Sequence, residues 1–227
     1  MSMKSIPDRL QALKKNIQEY EQCFNRPKNS VKLLAVSKKQ SVDSIKLAYE
    51  SGQRAFGENY LQEAIGKIHH FTEKEISWHF IGKIQSNKTL AIAENFDWVH
   101  TIEREKIAFR LNEHRAKMKK VLNVLIQVNI SGEESKSGIR LEAFPQMVAC
   151  VKAFRWLRLR GVMGMPAQYD NFKLQCESFL PLMDAINLHQ PKFDSLSIGT
   201  SQDYKAAIAV GSTMVRIGEG LFGPRKN

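Results

Sequence analysis

The feature that most constrains this chain of 227 residues is a repeated alternation of short apolar runs with longer amphipathic segments. The apolar runs are typical of buried strands, and the segments between them place apolar residues three and four apart, as one face of a helix does. Because neighbouring parallel strands need a crossover, the alternation predicts a parallel sheet with helices between its strands. The predicted strands cover residues 31–38, 54–59, 77–82, 97–102, 121–131, 157–165, 194–199 and 213–223.

Eight strands in alternation with helices predict a (β/α)8 TIM-type barrel. The length fits one barrel domain over residues 1–227, since α/β barrels of about 200–250 residues commonly form one domain. Few residues follow the eighth predicted strand, so we expect an extra N-terminal helix over residues 7–24 to cover the gap where an eighth outer helix would lie. A doubly wound open sheet is the alternative, because strand order is not visible in a sequence.

The charge of the chain favours anionic partners. Lys and Arg number 34 and Asp and Glu number 23, which gives a net charge of +11. Such a charge suits phosphorylated small molecules, nucleic acid or a membrane surface. The basic stretches lack the aromatic pattern of nucleic-acid-binding modules, and no apolar run approaches about 18 residues. We therefore expect no nucleic acid and no membrane as partner; a nucleic-acid-binding module stays as an alternative that rests on charge alone.

The cysteines and the N-terminus favour a cytoplasmic protein. Cys23, Cys150 and Cys176 are too few and too far apart to form a disulfide framework or a CxxC pair. The first twenty residues carry a charge every few positions and no apolar core, unlike a secretory signal.

Lys38 is a candidate functional residue because barrels of this kind carry their functional groups at the C-terminal ends of the strands. It ends the first predicted strand on the same face as Leu34 and Val36. A lysine amine in a barrel mouth of low dielectric has a lowered pKa, and the neutral amine is a nucleophile toward aldehydes. A solvated lysine at the end of a strand is the alternative.

Arg216 and two glycine-rich turns form the second candidate group. Arg216 shares a face of the eighth predicted strand with Met214 and Gly218, and a buried arginine needs an anion or an acceptor. The segments SIGTSQD and RIGEGLFG lie at the ends of the last two strands, where these barrels commonly bind phosphate, and Ser201 adds a hydroxyl. A structural ion pair for Arg216 and two ordinary glycine turns are the alternatives.

Six motifs in this order resemble the YggS/PROSC family of pyridoxal 5′-phosphate (PLP) homeostasis proteins, and the resemblance covers about residues 7–225. The barrel of that family is similar to the N-terminal domain of alanine racemases, and its cofactor is PLP. The motifs are LLAVSKKQS, RAFGENYLQEA, WHFIGKIQSNK, VLIQVNISGEESKSGI, LRGVMGMPA and LSIGTSQDYKAAIAVGSTMVRIGEGLFG.

The resemblance assigns roles to the matching positions of this sequence. Lys38 matches the lysine that holds the cofactor as an internal aldimine, and Arg216 matches the arginine that faces the pyridine nitrogen. Asn59 matches an asparagine near the cofactor ring, and Ile81 matches the isoleucine of the HFIG motif. The phosphate ligands of the family match Ser201, Gly218 and Glu219.

Two of the candidate cofactor-binding positions depart from the family pattern. Thr200 stands where the family often has Met, and Glu219 stands where a small hydroxyl residue is usual. A carboxylate repels a phosphate, so we expect Glu219 to offer only its backbone N–H, or a cation such as Arg225 to neutralise it.

The resemblance also implies that a racemase would be incomplete here. Alanine racemases take a second base from a further C-terminal domain across a dimer, whereas only GPRKN follows the last predicted strand. A cationic Arg216 at the pyridine nitrogen disfavours ring protonation and weakens the ring as an electron sink. We therefore expect a non-catalytic, monomeric PLP-binding protein of PLP homeostasis that hands PLP to apo-enzymes; a PLP-dependent amino-acid racemase is the alternative.

Overall fold

The eight apolar runs form the eight strands of a closed barrel, in which each strand pairs in parallel with its neighbour in the chain. The computed structural model describes residues 5–72, 75–133, 136–188 and 192–224. The last strand pairs with the first and closes the sheet, with Leu34 opposite Arg216. The predicted TIM-type barrel is thereby confirmed, and the open sheet is excluded. The strands are β1 (Lys32–Val36), β2 (Ala55–Glu58), β3 (Ser77–Phe80), β4 (Trp98–Ile102), β5 (Leu122–Asn129), β6 (Leu157–Met165), β7 (Ser195–Ser197) and β8 (Met214–Ile217).

Helices surround the barrel and bury one apolar face each against its outer surface. Within the described residues, three single turns of 3-10 helix accompany them: His69–Phe71, Ser86–Lys88 and Leu141–Ala143. The α-helices in the described ranges are α1 (Ile6–Cys23), α2 (Val42–Glu50), α3 (Leu61–Ile68), α4 (Thr89–Asn95), α5 (Glu105–Met118), α6 (Phe144–Lys152), α7 (Phe172–Asn187), α8 (Tyr204–Ala209) and α9 (Glu219–Phe222).

The N-terminal helix α1 covers the gap that the sequence predicts. A capping box between Ser5 and Asp8 begins it, and Leu10, Leu13 and Ile17 form its buried face. The helix packs against α2, α8 and α9, so it lies between the first and the last outer helices of the ring. The expected position of the extra helix is therefore confirmed.

The predicted eighth strand over residues 213–223 is too long. The strand ends at Ile217, and the N–H groups of Leu221 and Phe222 donate to the carbonyl of Gly218, which starts the helical turn α9. Three glycines in residues 218–223 weaken strand propensity, so the chain turns as soon as pairing with β1 ends. The short helix places backbone N–H groups at the barrel mouth.

Candidate functional site

A cavity of about 370 Å³ opens at the C-terminal mouth of the barrel. All eight residues singled out from the sequence line it, although they come from the ends of five different strands. These residues are Lys38, Asn59, Ile81, Thr200, Ser201, Arg216, Gly218 and Glu219. The sequence candidates therefore form one site in space.

Lys38 lies two residues beyond the end of β1, whereas the predicted strand included it. It is half-buried and lines the cavity together with Val36, the residue two positions before it. Lys39 has a φ of 60° and is exposed. The chain turns sharply after Lys38, so the two adjacent lysines have different surroundings.

A buried network that the sequence analysis did not identify holds the backbone on both sides of Lys38. The Nζ of Lys67 donates to the carbonyl of Ser37 (2.7 Å) and to Oε1 of Glu58 (2.8 Å) and of Glu63 (2.5 Å). The Ser37 hydroxyl donates to Glu58 Oε1 at 2.6 Å, and the N–H of Lys39 donates to Glu63 Oε1 at 2.6 Å. Burial raises the pKa of Glu58, while the hydrogen bond from Lys67 opposes that rise. In the sequence, the i,i+4 spacing of Glu63 and Lys67 on α3 could have indicated this part of the network.

Asn59 and Ile81 occupy neighbouring loops after β2 and β3. A Cβ atom on Gly82 would lie 2.0 Å from the carbonyl oxygen of Asn59, so only glycine allows the two loops to approach this closely. Within the described ranges, the buried Oδ1 atom of Asn59 has no hydrogen-bond partner. This acceptor can take a hydrogen bond from a donor of a bound molecule, which would remove the free-energy cost of its burial.

Arg216 is buried within the barrel and donates to neutral oxygens. Its guanidinium bonds to the carbonyl (2.5 Å) and hydroxyl (2.9 Å) oxygens of Ser197 and to the carbonyl of Gly164 (3.2 Å). Burial lowers the pKa of Arg216 to about 10, and the negative charge of Asp203 opposes that shift. None of these three acceptors is a carboxylate, so the structural ion pair considered from the sequence is not what holds this side chain.

The loops after β7 and β8 meet at Ser201. The N–H of Gly220 donates to the Ser201 hydroxyl oxygen at 3.3 Å, which leaves the hydroxyl proton available for another acceptor. Thr200 differs, because both its N–H (2.6 Å) and its hydroxyl (2.8 Å) donate to Oδ1 of Asp203. Thr200 can therefore donate to an anion only after it breaks a bond to Asp203.

Gly218 and Glu219 form the start of α9 on the same side of the cavity. The N–H groups of Gly220, Leu221 and Phe222 already donate to Ser201 Oγ and to the Gly218 carbonyl, while the positive end of this helical turn still favours an anion nearby. Glu219 is exposed and lines the cavity. The cation proposed to neutralise it, Arg225, lies outside the described residues.

Further lining residues come from the end of β6 and from three loops. Met163 and Met165 at the end of β6 supply an apolar wall, and Gln40, Gln168 and Gln202 add amides at the rim. Isolated glutamines in loops carry no pattern that would have indicated them.

In residues 5–72, 75–133, 136–188 and 192–224, no His/Cys/Asp/Glu cluster fits a metal ion. No helix of that same part of the chain is long and apolar enough to cross a membrane.

Comparison with known proteins identifies the family of the chain. The family model for the N-terminal domain of alanine racemase matches residues 9–226. The pyridoxal phosphate homeostasis protein of Pasteurella multocida is 46% identical, over 97% of this chain and 98% of that protein. The protein of that name from Escherichia coli K12 is 48% identical over 88% of each.

Solved structures show the same barrel. PipY of Synechococcus elongatus with PLP bound has a TM-score of 0.80 and 28% identity, over 96% of this chain and all of that chain. Alanine racemase from E. faecalis has a TM-score of 0.72 and 18% identity, over 92% of this chain and 57% of that chain. At this identity the similarity concerns the fold alone. By the family model and the full-length relatives together, the chain belongs to the alanine racemase N-terminal domain family and, within it, to the pyridoxal phosphate homeostasis proteins.

Proposed function

We propose that this protein holds PLP in the cavity at the C-terminal mouth of the barrel and serves PLP homeostasis without catalysing a reaction of its own. One observation carries the proposal: the eight candidate residues from five strand ends line a single cavity. Relatives that match almost the whole chain are named for pyridoxal phosphate homeostasis, and the similar PipY barrel binds PLP.

The donors and acceptors of the cavity fit the parts of PLP. The half-buried Lys38 suits the aldehyde, and the buried cation of Arg216 suits the pyridine nitrogen. The buried side-chain oxygen of Asn59 suits the ring hydroxyl. The Ser201 hydroxyl and the glycine-rich turn at Gly218 suit the phosphate. Thr200, whose donors are engaged by Asp203, contributes through packing.

The residues around the cavity support a holder better than a catalyst. When bound, PLP supplies an aldehyde that a lysine links reversibly and a ring that withdraws electrons. Arg216 keeps a positive charge at the ring nitrogen, and this disfavours the protonated ring that carbanion chemistry uses. Among the described residues that line the cavity, the titratable ones are Lys38, Arg216 and Glu219. A racemase needs a base on each face of its substrate, and the exposed Glu219 lies on the phosphate side.

Finer expectations belong to the same proposal. The chain acts as one domain and as a monomer in the cytoplasm, and it passes PLP to PLP-dependent apo-enzymes. A covalent link through Lys38 suits this task, because it masks a reactive aldehyde and can still be reversed.

Adjacent lysines provide the test of the site. PLP is titrated into the full chain and into the Lys38→Ala and Lys39→Ala variants, followed by visible absorption, borohydride reduction and peptide mass analysis. We expect Lys38→Ala to lose the visible band and the labelled peptide, and Lys39→Ala to keep both, because only Lys38 lines the cavity. A stoichiometric label on another residue of Lys38→Ala would overturn the assignment.

Turnover of the PLP-loaded chain tests the absence of catalysis. Each enantiomer of alanine and of other common amino acids is incubated with the loaded protein, and the opposite enantiomer is measured over time. We expect no more conversion than free PLP gives at the same concentration. Conversion that exceeds this background and disappears in Lys38→Ala would make the protein a racemase.

A further inference from the structure

A chain of polar side chains crosses the interior of the barrel and ends at Arg216. Ser77 Oγ lies 3.1 Å from His79 Nε2, His79 Nδ1 lies 2.9 Å from His100 Nε2, and His100 Nδ1 lies 3.2 Å from Ser197 Oγ. Ser197 Oγ in turn accepts from Arg216 at 2.9 Å. We call Ser77, His79, His100, Ser197 and Arg216 the interior chain. Because β4 and β7 are not neighbours in the sheet, the bond from His100 to Ser197 spans the barrel.

The interior chain connects the two ends of the barrel. Arg216 lines the large cavity at the C-terminal mouth, while Ser77 and His79 line a small cavity of about 90 Å³ at the N-terminal ends of the strands. His79, His100, Ser197 and Arg216 are all at least nine-tenths buried. Buried polar groups cost free energy unless they form hydrogen bonds. The side chains of the interior chain are tolerated inside the barrel because they bond to one another.

Arg216 sets the direction of these hydrogen bonds. A guanidinium can only donate, so the Ser197 hydroxyl accepts from it. If the hydroxyl then donates to His100 Nδ1, His100 donates from Nε2 to His79 Nδ1, and His79 donates from Nε2 to Ser77. The reverse order would make Ser197 accept twice and leave its buried proton without an acceptor among these partners, which costs free energy.

We propose that the interior chain is directional: His79 and His100 are neutral tautomers protonated at Nε2, and their aligned dipoles take the place of a hydrogen-bonded carboxylate in stabilising the Arg216 cation at the cofactor cavity. In this order the unprotonated Nδ1 atom of each ring is on the side of Arg216, so the negative end of each ring dipole faces the guanidinium. Dipoles aligned in this way stabilise a buried cation. His79, His100 and Ser197 are thus positioning residues that act through Arg216. The part that concerns the cofactor rests on the proposed function.

The surroundings of the two rings support neutral, fixed imidazoles. His79 stacks on Trp98 with centroids 5.3 Å apart and an interplanar angle of 11°, and it meets His100 edge-on at 74°. Burial lowers the pKa of His79 to about 3, helped by the charge of Lys32. Burial also lowers the pKa of His100 well below its usual range, helped by His79 and Arg216. A neutral ring has one N–H, so its position can be measured.

Nuclear magnetic resonance of the full chain with ¹⁵N-labelled histidine tests the direction without any cofactor. Long-range ¹⁵N–¹H spectra at pH 7 to 8 report which ring nitrogen carries the proton, and the His79→Gln and His100→Gln variants assign the two signals. We expect both rings to be protonated at Nε2. Protonation at Nδ1 in either ring, or an imidazolium, would overturn the proposal.

The Ser197→Ala variant tests whether the chain acts as a unit, and Ser195→Ala is its matched control. Ser195 is also buried on β7, but its hydroxyl donates to Asp194. Ser197→Ala removes the donor to His100, so we expect a mixture of tautomers in both rings, whereas Ser195→Ala should leave the spectra unchanged. Unchanged tautomers in Ser197→Ala would contradict the coupling.

PLP affinity measured on the same two variants tests the link to the cofactor. Ser197→Ala should bind PLP about ten- to a hundredfold more weakly, as the loss of one hydrogen bond to a charged group implies, and Ser195→Ala should bind like the parent. Equal affinity of both variants would refute the link to Arg216. If the parent chain bound no PLP at all, the proposed function would fail, and the tautomer spectra would still decide the interior chain.

Discussion

Glu219 is the residue at which the cavity and its expected ligand conflict. It begins α9 beside Ser201, whose hydroxyl suits a phosphate, yet it brings a carboxylate to the lining. At an effective dielectric of about 20 and a separation of about 6 Å, two unit like charges repel by about 3 kcal/mol, and exposure to solvent reduces this strongly. The side chain is exposed, so the remaining effect should be modest.

Glu219→Thr should therefore raise PLP affinity, by about two- to fivefold at low salt and less at high salt. The substitution removes the negative charge and restores the small hydroxyl residue that the family pattern leads us to expect. Isothermal titration at two ionic strengths measures the effect. Pyridoxal without its phosphate is the control ligand and should show no gain. A threonine variant that binds PLP more weakly would mean that Glu219 contributes to binding, for instance by ordering the turn.

The turn at Lys38 shows what single residues reveal in a sequence and what they conceal. Strand alternation correctly placed Lys38 on the side of Val36, because the face of a strand depends on local geometry alone. The network of Glu58, Glu63 and Lys67 was missed because it joins a strand end to a helix through side chains whose meeting depends on packing. Even its helical pair resembles any exposed i,i+4 ion pair in the sequence.

Whole elements also divide into those that local sequence predicts and those that depend on packing. The order of strands and helices could be predicted because each element carries its own hydrophobic period. The end of β8 could not, because MVRIGEGLF is apolar enough for a longer strand, and the strand stops where β1 no longer offers a partner. The role of α1 followed from counting outer helices, since a barrel surface leaves one position to fill.

Helix α1 should contribute strongly to stability because it closes the ring of outer helices. Leu10 is 1% exposed and packs in the core, and Arg9 donates to the carbonyl oxygens of Leu221 (2.6 Å) and Phe222 (3.1 Å) on α9. Leu10→Ala should lower the free energy of unfolding by about 2–5 kcal/mol, measured by urea denaturation. Leu47→Ala on α2 is the control, because Leu47 is 46% exposed and its loss should change stability by less than about 0.5 kcal/mol. Equal effects of the two substitutions would mean that α1 does not pack on the barrel in solution.

At the scale of the molecule, barrel closure turns scattered sequence candidates into a site. Lys38 and Glu219 are 181 positions apart in the chain and line one cavity because β8 pairs with β1. The sequence alone could place each candidate at a strand end, and the parallel arrangement then put every strand end at one mouth. The interior chain could not be foreseen, because bonds between strands on opposite sides of the barrel depend on register and on side-chain orientation across the whole sheet.

The neutral histidines inside the barrel should make the stability of the whole molecule depend on pH. His79 has a folded-state pKa of about 3 against 6.5 in the unfolded chain, so between these values only the unfolded chain binds the proton. The stability due to the neutral ring is complete above pH 6.5 and is lost as pH falls toward 3, by about 1.4 kcal/mol per pH unit.

His79→Gln should therefore reduce the slope of unfolding free energy against pH by about 1.4 kcal/mol per pH unit below pH 6. Urea denaturation at about pH 7.5, 6.5, 5.5 and 4.5 measures this slope. His69→Gln, at an exposed position, is the control and should keep the parent slope. Because the carboxylates are the same in the parent and in both variants, the difference in slope isolates the buried ring. Identical slopes in His79→Gln and the parent would show that His79 gains its proton in the folded barrel.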